Sequence, residues 1–421
     1  MCALTTSSGD WGEKQRKERK RDPPFDVAAF RTLLDVLAYS RDRAYTGWDY
    51  CDGLSSRVLG ALPVENRWVN LAFQETAKRA PINARPLLLV EQRRNFMGAG
   101  LFAMANLTVD RLLREQGDTA GDPGVDFAGE AVDLLDWLVR NRCRGYSGFC
   151  GSHQHRTQSL TNTGDTNMPS VVSTAAPARA LLRSGDLDPV FPAVGRTAAD
   201  FVVEDLAYRE VDGGAVLKYL PKDSWDYVTP NAMAVGAHLL VDLWAATGDD
   251  ALAERAGRIL DYVATLQTNA GGWYYRHPPD ESHLSMDNFH NGFIVESMLR
   301  YDEAVGENRY GDVLDRALSF YRHELFDADG APNWDESSTY PRDVHASAQG
   351  ILVFSRTGEL ERARRILSWA VENLFDGDGR FYFRKHRFYT KRVTLMRWCQ
   401  AWMAYAISEY LARQAFDDPP L

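Results

Sequence analysis

An internal repeat constrains this chain more than any other feature. Five times, a glycine-led aromatic turn opens a polar loop that leads into a helix rich in small residues, a short break and an amphipathic helix. The turns read SGFCGSHQH from Ser147, GGAVLKYLP from Gly213, GGWYYRHPP from Gly271, DGAPNWDES from Asp329 and DGRFYFRKH from Asp378. Taking Gly148, Gly214, Gly272, Gly330 and Gly379 as equivalent gives spacings of 66, 58, 58 and 49 residues, one helical hairpin plus a loop each time. Such a unit cannot bury its apolar faces alone, so neighbouring units must complete the core.

The helix after each turn, near 167–184, 230–247, 287–305, 343–356 and 391–413, carries small and apolar residues on more than one face. That pattern predicts burial over most of its surface. Each of the first four is followed by a one-sided helix, near 190–207, 250–267, 308–325 and 359–374. In the 250–267 segment, Leu252, Ala256, Ile259, Leu260 and Val263 share one face and Glu254, Arg255, Arg258 and Asp261 the other. Upstream, segments from Phe96 and Val125 supply a sixth inner helix and its outer partner, the segment from Phe25 supplies the remaining outer position, and Asn66 begins an extra helix. The expectation is an all-α fold, an (α/α)6 toroid of six inner and six outer helices with long loops at one mouth. Residues 25–421 would form this single domain, behind a disordered basic tail of residues 1–24. An open superhelix of helix pairs is the alternative, but the uneven period and the long aromatic loops argue against it.

Charge narrows the partners. A net charge of −10 and a pI near 5.5 argue against a nucleic-acid partner, which needs a basic face. The basic run between Glu13 and Arg21 is followed by no apolar stretch, so no secretory signal is readable and a cytoplasmic protein is expected. The same run allows peripheral contact with anionic lipid at the inner membrane face. No window approaches the ~20 apolar residues of a spanning helix. The five scattered cysteines fit a reducing compartment. Neither a dinucleotide fingerprint, a Walker loop, an HExxH pair nor a calcium loop is present, so no cofactor and no metal are expected.

Chemistry gathers in the repeated loops. His153, His155, His277, His283, His290, His345 and His386 lie in or just after them, whereas His238 and His323 fall deeper in helices. Histidine serves as acid, base or donor near neutral pH. The candidate catalytic residues are Asp226, Asp287, His290, His345, Tyr275 and Tyr340. Trp225, Trp273 and Trp334 suit the apolar faces of sugar rings. Asn167, His155, Asn231, Arg276, His277, Asp335, Arg342 and Asp343 are candidate polar contacts from the same loops, and Trp48, Asp49, Arg94 and Asn95 come from long N-terminal connections able to cover the mouth. The last loop, FRKHRFYTKRVTLMRW, places Arg384, His386 and Arg397 in a strongly basic stretch, as an anionic substrate requires. Asp287 and Asp343 sit where inner helices begin and equally suit N-caps. Two of Asp226, Asp287, Asp335 and Asp343 would serve glycoside hydrolysis at the right separation, which spacing in sequence does not give.

With these residues in view, the chain resembles the six-hairpin toroid proteins of carbohydrate metabolism, which include uronyl hydrolases, sugar 2-epimerases and the C-terminal domain of glucuronyl C5-epimerases. More narrowly, SRDRAYTGWDYCDGLSS from Ser40, KRAPINARPLL from Lys78 and FMGAGLFAMA from Phe96 resemble a family of archaeal and bacterial proteins encoded with surface-polysaccharide and N-glycan assembly genes. That family includes an archaeal surface-layer glycosylation protein linked to a hexuronic acid. The resemblance spans about residues 26–415. It implies an enzyme that epimerises or isomerises an acidic saccharide, a hexuronate in a cell-surface glycan or a lipid-linked glycan. A uronate-glycan hydrolase and a non-catalytic glycan-binding scaffold are the other readings. For proton chemistry, His290, His345, Tyr275 or Tyr340 would be the base and Arg342, Arg384 or Arg397 the carboxylate clamp.

Overall fold

A computed structural model describes residues 25–416, apart from 64, 117–123, 159–162 and 307, so the tail expected at 1–24 lies outside the described residues. In chain order the main helices are α1 (Val27–Arg41), α2 (Arg67–Arg79), α3 (Phe96–Gln116), α4 (Phe127–Asn141), α5 (Val171–Leu182), α6 (Val190–Arg196), α7 (Pro230–Thr247), α8 (Asp250–Thr265), α9 (Asn288–Val305), α10 (Gly311–His323), α11 (Val344–Arg356), α12 (Leu360–Leu374) and α13 (Trp402–Ala415). Short helical turns extend α6 to Asp205, and the π-helical turn Met396–Ala401 leads into α13.

Helices α3, α5, α7, α9, α11 and α13 each pack on the next, and α13 packs back on α3 to close a ring. Outside it, α4, α6, α8, α10 and α12 each cover their own inner partner, and α1 covers α13. The two faces follow from the sequence pattern. Leu252, Ala256, Ile259, Leu260 and Val263 of α8 are all buried, whereas α7 is buried without a break from Pro230 to Val241. The extra helix α2 lies in the connection before α3. The last inner helix begins later than expected, so Arg397 sits in its opening π turn rather than two turns inside.

The turn glycines explain why the repeat exists. A Cβ on Gly148 would strike the backbone of Thr197, on Gly214 that of Arg258, on Gly271 that of Arg316, on Gly330 that of Arg365, and on Gly379 that of Asp35. Each turn therefore lies directly on the outer helix of the following hairpin, and the fifth lies on α1. The equivalent of the other four is Gly271, with φ +100°, and not Gly272. Gly330 has φ +93° and an added Cβ would lie 2.7 Å from Arg365 backbone atoms, whereas Gly358 has φ +78° and open space around it. Both positions disfavour alanine for backbone reasons, by about 1–2 kcal/mol, but only Gly330 adds a helix–turn clash. Gly330→Ala should therefore lose clearly more stability than Gly358→Ala in denaturant titration; equal losses would show that the contact yields without cost.

Midway down the ring, polar side chains bridge the inner helices. Arg179 pairs with Asp242 at 2.7 Å, Arg300 with Glu296 at 3.0 Å, and Glu296 accepts from the Gln349 amide at 2.8 Å. Both guanidinium groups donate to the Tyr405 hydroxyl, at 3.2 and 2.9 Å. Burying such charges is tolerable because each has a partner.

Candidate functional site

Every hairpin returns the chain to the same end, so the N-termini of the six inner helices share one mouth. The residues that cap them do a second task there. Asp287 accepts the His290 amide at 3.3 Å and also the His290 ring Nδ1 at 2.8 Å. Asp343 accepts the His345 amide at 2.8 Å, the Trp398 indole N–H at 2.8 Å and Arg384 Nε at 2.5 Å. Asn95 accepts the Gly98 amide at 3.1 Å while its own amide donates to Asp49 at 2.5 Å. Both readings of Asp287 and Asp343, cap and mouth carboxylate, hold at once.

His345 lies at the centre of an aromatic cradle. Its ring stacks on Trp402 at 4.6 Å and on Phe289 at 4.9 Å, and meets the edge of Trp398 at 4.6 Å. It is 2% exposed, and neither ring nitrogen has a protein partner. Burial first, then the charges of Arg397, His290 and Arg384, hold it far below the ordinary histidine range, so it is neutral at pH 7. His290 also packs on Phe289, 4.1 Å away centroid to centroid, with Tyr275 4.5 Å from His290. Because the Asp287 carboxylate accepts from Nδ1, the tautomer this bond selects in a neutral imidazole carries its proton there and leaves Nε2 as the acceptor. Burial raises the Tyr275 phenol well above its usual range, so at neutral pH it is a donor and not the base expected from sequence.

Across the mouth, Arg397 grips Asp49 through two nitrogens, at 2.9 and 2.6 Å, with both side chains buried. Arg397 is thus already neutralised, which corrects its expected role as an open carboxylate clamp. His155 hydrogen-bonds Ser55 Oγ through Nδ1 at 2.7 Å, and its Nε2 is buried without a protein partner. Burial outweighs the attraction of Asp49 and brings His155 down to about 4. Between pH 6.5 and about 4 the unfolded chain takes up a proton that the native state refuses, so stability should fall as pH drops through that window. The contribution is on the order of 3 kcal/mol. His155→Gln should make that part of the melting temperature–pH profile shallower, His153, which burial also brings down to about 4, keeping the rest of the slope; an unchanged slope would show that other groups set it.

The remaining expected residues fall into two sets. Asn231 is buried in the first turn of α7 with its carbonyl oxygen unpartnered, and Trp334 lies under the Arg384 guanidinium at 4.7 Å. Arg276 stacks on Tyr227 at 3.9 Å, beside Tyr275, and makes no ion pair among the described residues. His386 stacks on Tyr389 at 4.5 Å on the basic hairpin. The others serve structure. Trp273 is buried and donates to the Val263 carbonyl, so it plugs the core. Trp48 donates to the Val90 carbonyl, and Arg94 to that of Ala44. Asn167 is exposed and holds Arg144 backbone atoms, and Trp225 is flanked by Arg209 and Lys218. Asp226 is exposed and accepts from Ser224, Asp335 caps its own turn at Ser337, and His277 joins Val228 through its backbone. Arg342 pairs with Asp327 and lies over Tyr340 and Trp369, so this expected clamp is already paired and the expected tyrosine base is an exposed ring beneath it. Phe289, Trp398 and Trp402 were not singled out from sequence, because core and site aromatics share one helical spacing. His153, beside Asp49 and Arg397, was signalled by the HQH pair. Among the described residues no group of three or more His, Cys, Asp or Glu is placed to hold a metal.

No known family profile matches the chain, and no curated protein matches it in sequence. Solved structures do match in shape. A cellobiose 2-epimerase from Bacillus thermoamylovorans aligns at TM-score 0.58 and 11% identity, covering 76% of this chain and 88% of its own. A sugar epimerase from a ruminal bacterium aligns at 0.57 and 15%, with the same coverages of 76% and 88%. A possible member of the GH105 family from Salmonella enterica aligns at 0.57 and 13%, covering 93% and 96%. The chain has the (α/α)6 toroid fold. In this toroid the inner-helix N-termini build one polar, aromatic mouth, and at such low identities the likeness carries the architecture alone.

Proposed function

We propose that this toroid is a sugar epimerase or isomerase that takes a proton from carbon beside a carbonyl and returns it, acting on a hexuronate of a surface glycan or its lipid-linked precursor. The observation that carries this reading is the pairing of a carboxylate-oriented histidine, His290, with a buried neutral one, His345, around Phe289. His290 Nε2 accepts the carbon-bound proton, and the electron pair moves onto the carbonyl oxygen, which His345 or the Tyr275 hydroxyl stabilises by donating a hydrogen bond. Return of the proton by His290 to the adjoining carbon, with the hydroxyl proton passed between the two oxygens, gives the isomer, and its return to the same carbon after the intermediate has rotated to present its opposite face gives the epimer. Arg276, without a carboxylate of its own, replaces Arg342, Arg384 and Arg397 as the group that meets a substrate carboxylate. Hydrolysis fits less well, because Asp226, Asp287, Asp335 and Asp343 are each held by a neighbour: Ser224, His290, Ser337 and Arg384.

The test is proton exchange. Glucuronate and galacturonate, with their neutral hexose counterparts, are incubated with the protein in deuterium oxide and followed by NMR. Deuterium should appear at the carbon next to the carbonyl. Arg276→Ala should slow exchange into the hexuronate about tenfold or more while leaving any neutral-sugar rate unchanged. Release of reducing ends from a uronate glycan without exchange would instead identify a hydrolase, and neither reaction a binding protein.

A further inference from the structure

Large apolar side chains on this surface are concentrated at one end. Twelve are exposed among the described residues; Val58, Leu62, Trp68, Ile82, Leu87 and Leu89 lie in the connection that carries α2, and three more, Tyr340, Phe388 and Tyr389, lie in rim loops. Leu87 is 77% exposed and Phe388 88%.

The geometry of α2 explains the outward set. Asn70, Gln74 and Ala77 form its buried stripe, with the Asn70 and Gln74 amides bound to Gln158. At 100° per residue, Trp68, Ala72 and Arg79 stand on the opposite face. The basic hairpin joins the same surface, because the Lys391 ammonium donates to the Lys78 carbonyl at 2.5 Å. Leu89 is tied to it through its carbonyl, which accepts the Arg57 amide at 3.1 Å.

Charge accompanies the apolar tips. From Arg384 to Arg397 the chain carries six cations and no carboxylate, in a protein of net charge −10. Arg57, Arg67, Arg387 and Arg392 are exposed and make no ion pair among the described residues, whereas Arg79, also exposed, pairs with Glu75 at 2.6 Å. Isolated apolar tips flanked by arginine suit a fluid, anionic interface. They do not suit a second copy of this chain, since facing rims would bring like charges together.

We propose that this rim docks on an anionic phospholipid bilayer, with Phe388, Leu87 and Ile82 entering the headgroup boundary and the exposed arginines meeting phosphates. No described helix is long and apolar enough to cross a membrane, so the contact is interfacial. Docking stands apart from the reaction proposed above: it turns the mouth toward the bilayer whatever the sugar.

Co-sedimentation of the full chain with vesicles tests it, using phosphatidylcholine alone and phosphatidylcholine mixed with phosphatidylglycerol. The mixed vesicles should bind the protein, less so as salt rises, and the neutral ones much more weakly. Each cation near such a surface contributes roughly fivefold in partitioning, so the pair Arg387→Glu and Arg392→Glu should weaken binding about 25-fold or more. Leu87→Asp with Phe388→Asp should do the same, and because all four side chains are exposed the melting temperature should hold. Three results would overturn the proposal: no binding to mixed vesicles; undiminished binding by both double variants, which would assign contact to the basic run between Glu13 and Arg21 or another face; or self-association abolished by the apolar pair without vesicle binding.

Discussion

Replacing His345 with phenylalanine is expected to lower turnover by about 10²–10⁴-fold, the usual contribution of a positioned acid or base, and to leave the melting temperature unchanged or higher. The ring already stacks between Trp402 and Phe289, and phenylalanine keeps that shape. What it removes are two buried nitrogens with no protein partner. An unsatisfied buried polar group costs about 1–3 kcal/mol, so their loss should not weaken the fold. A residue kept at such a cost fits the role proposed for it in the reaction. Deuterium exchange and calorimetry on the same preparation check both halves. Retained exchange, or a melting temperature several degrees lower, would make His345 an ordinary core residue.

Breaking the Asp49–Arg397 pair should instead cost stability. Asp49→Asn leaves the Arg397 charge buried without its counterpart, and the loss of one partner from such a pair is typically about 3–5 kcal/mol. Arg397→Ala should do comparable damage from the other side, whereas replacing both by apolar residues should recover much of it. Denaturant unfolding of the two single variants and the double variant measures the coupling directly. The acid limb offers a second reading. Burial pushes the Asp49 carboxyl up, but the charge and hydrogen bonds of Arg397 outweigh it and leave the carboxyl at about 2. Its unfolded value is about 3.9, so its contribution is complete above roughly pH 4 and disappears as pH falls toward 2. Asp49→Asn should remove that part of the acid transition. Single variants as stable as the parent would return Arg397 to the role of an open substrate clamp.

The ring was legible because its period is written in residues that only one geometry tolerates. Gly214, Gly271, Gly330 and Gly379 each leave room for the backbone of an adjoining outer helix, and the one-sided stripe of α8 marks the wet face. The mouth was legible in part. His290, His345 and Asp287 follow from their place at the starts of inner helices, since the repeat carries such positions to one end. Which cation stays open was not legible, because a sequence does not record that Arg397 meets Asp49 across 348 positions, or that Arg342 turns to Asp327. The aromatic cradle was hidden for a related reason: Phe289, Trp398 and Trp402 occupy helical positions that a core would fill with the same residues.

Because α1 is the outer partner of α13, the ring's last contact joins its most distant elements: the Asp26 amide donates to Gln414 and the Tyr410 hydroxyl to the Asp26 carboxylate. On a ribosome moving at about 5–20 residues per second, α1 waits roughly 20–75 s for the helix it must cover. Through that interval Phe30, Leu33, Val36 and Leu37, all buried in the finished ring, have no native surface to rest on. The first helix is therefore made long before the surface that buries it, and closure of the ring waits on that final pairing.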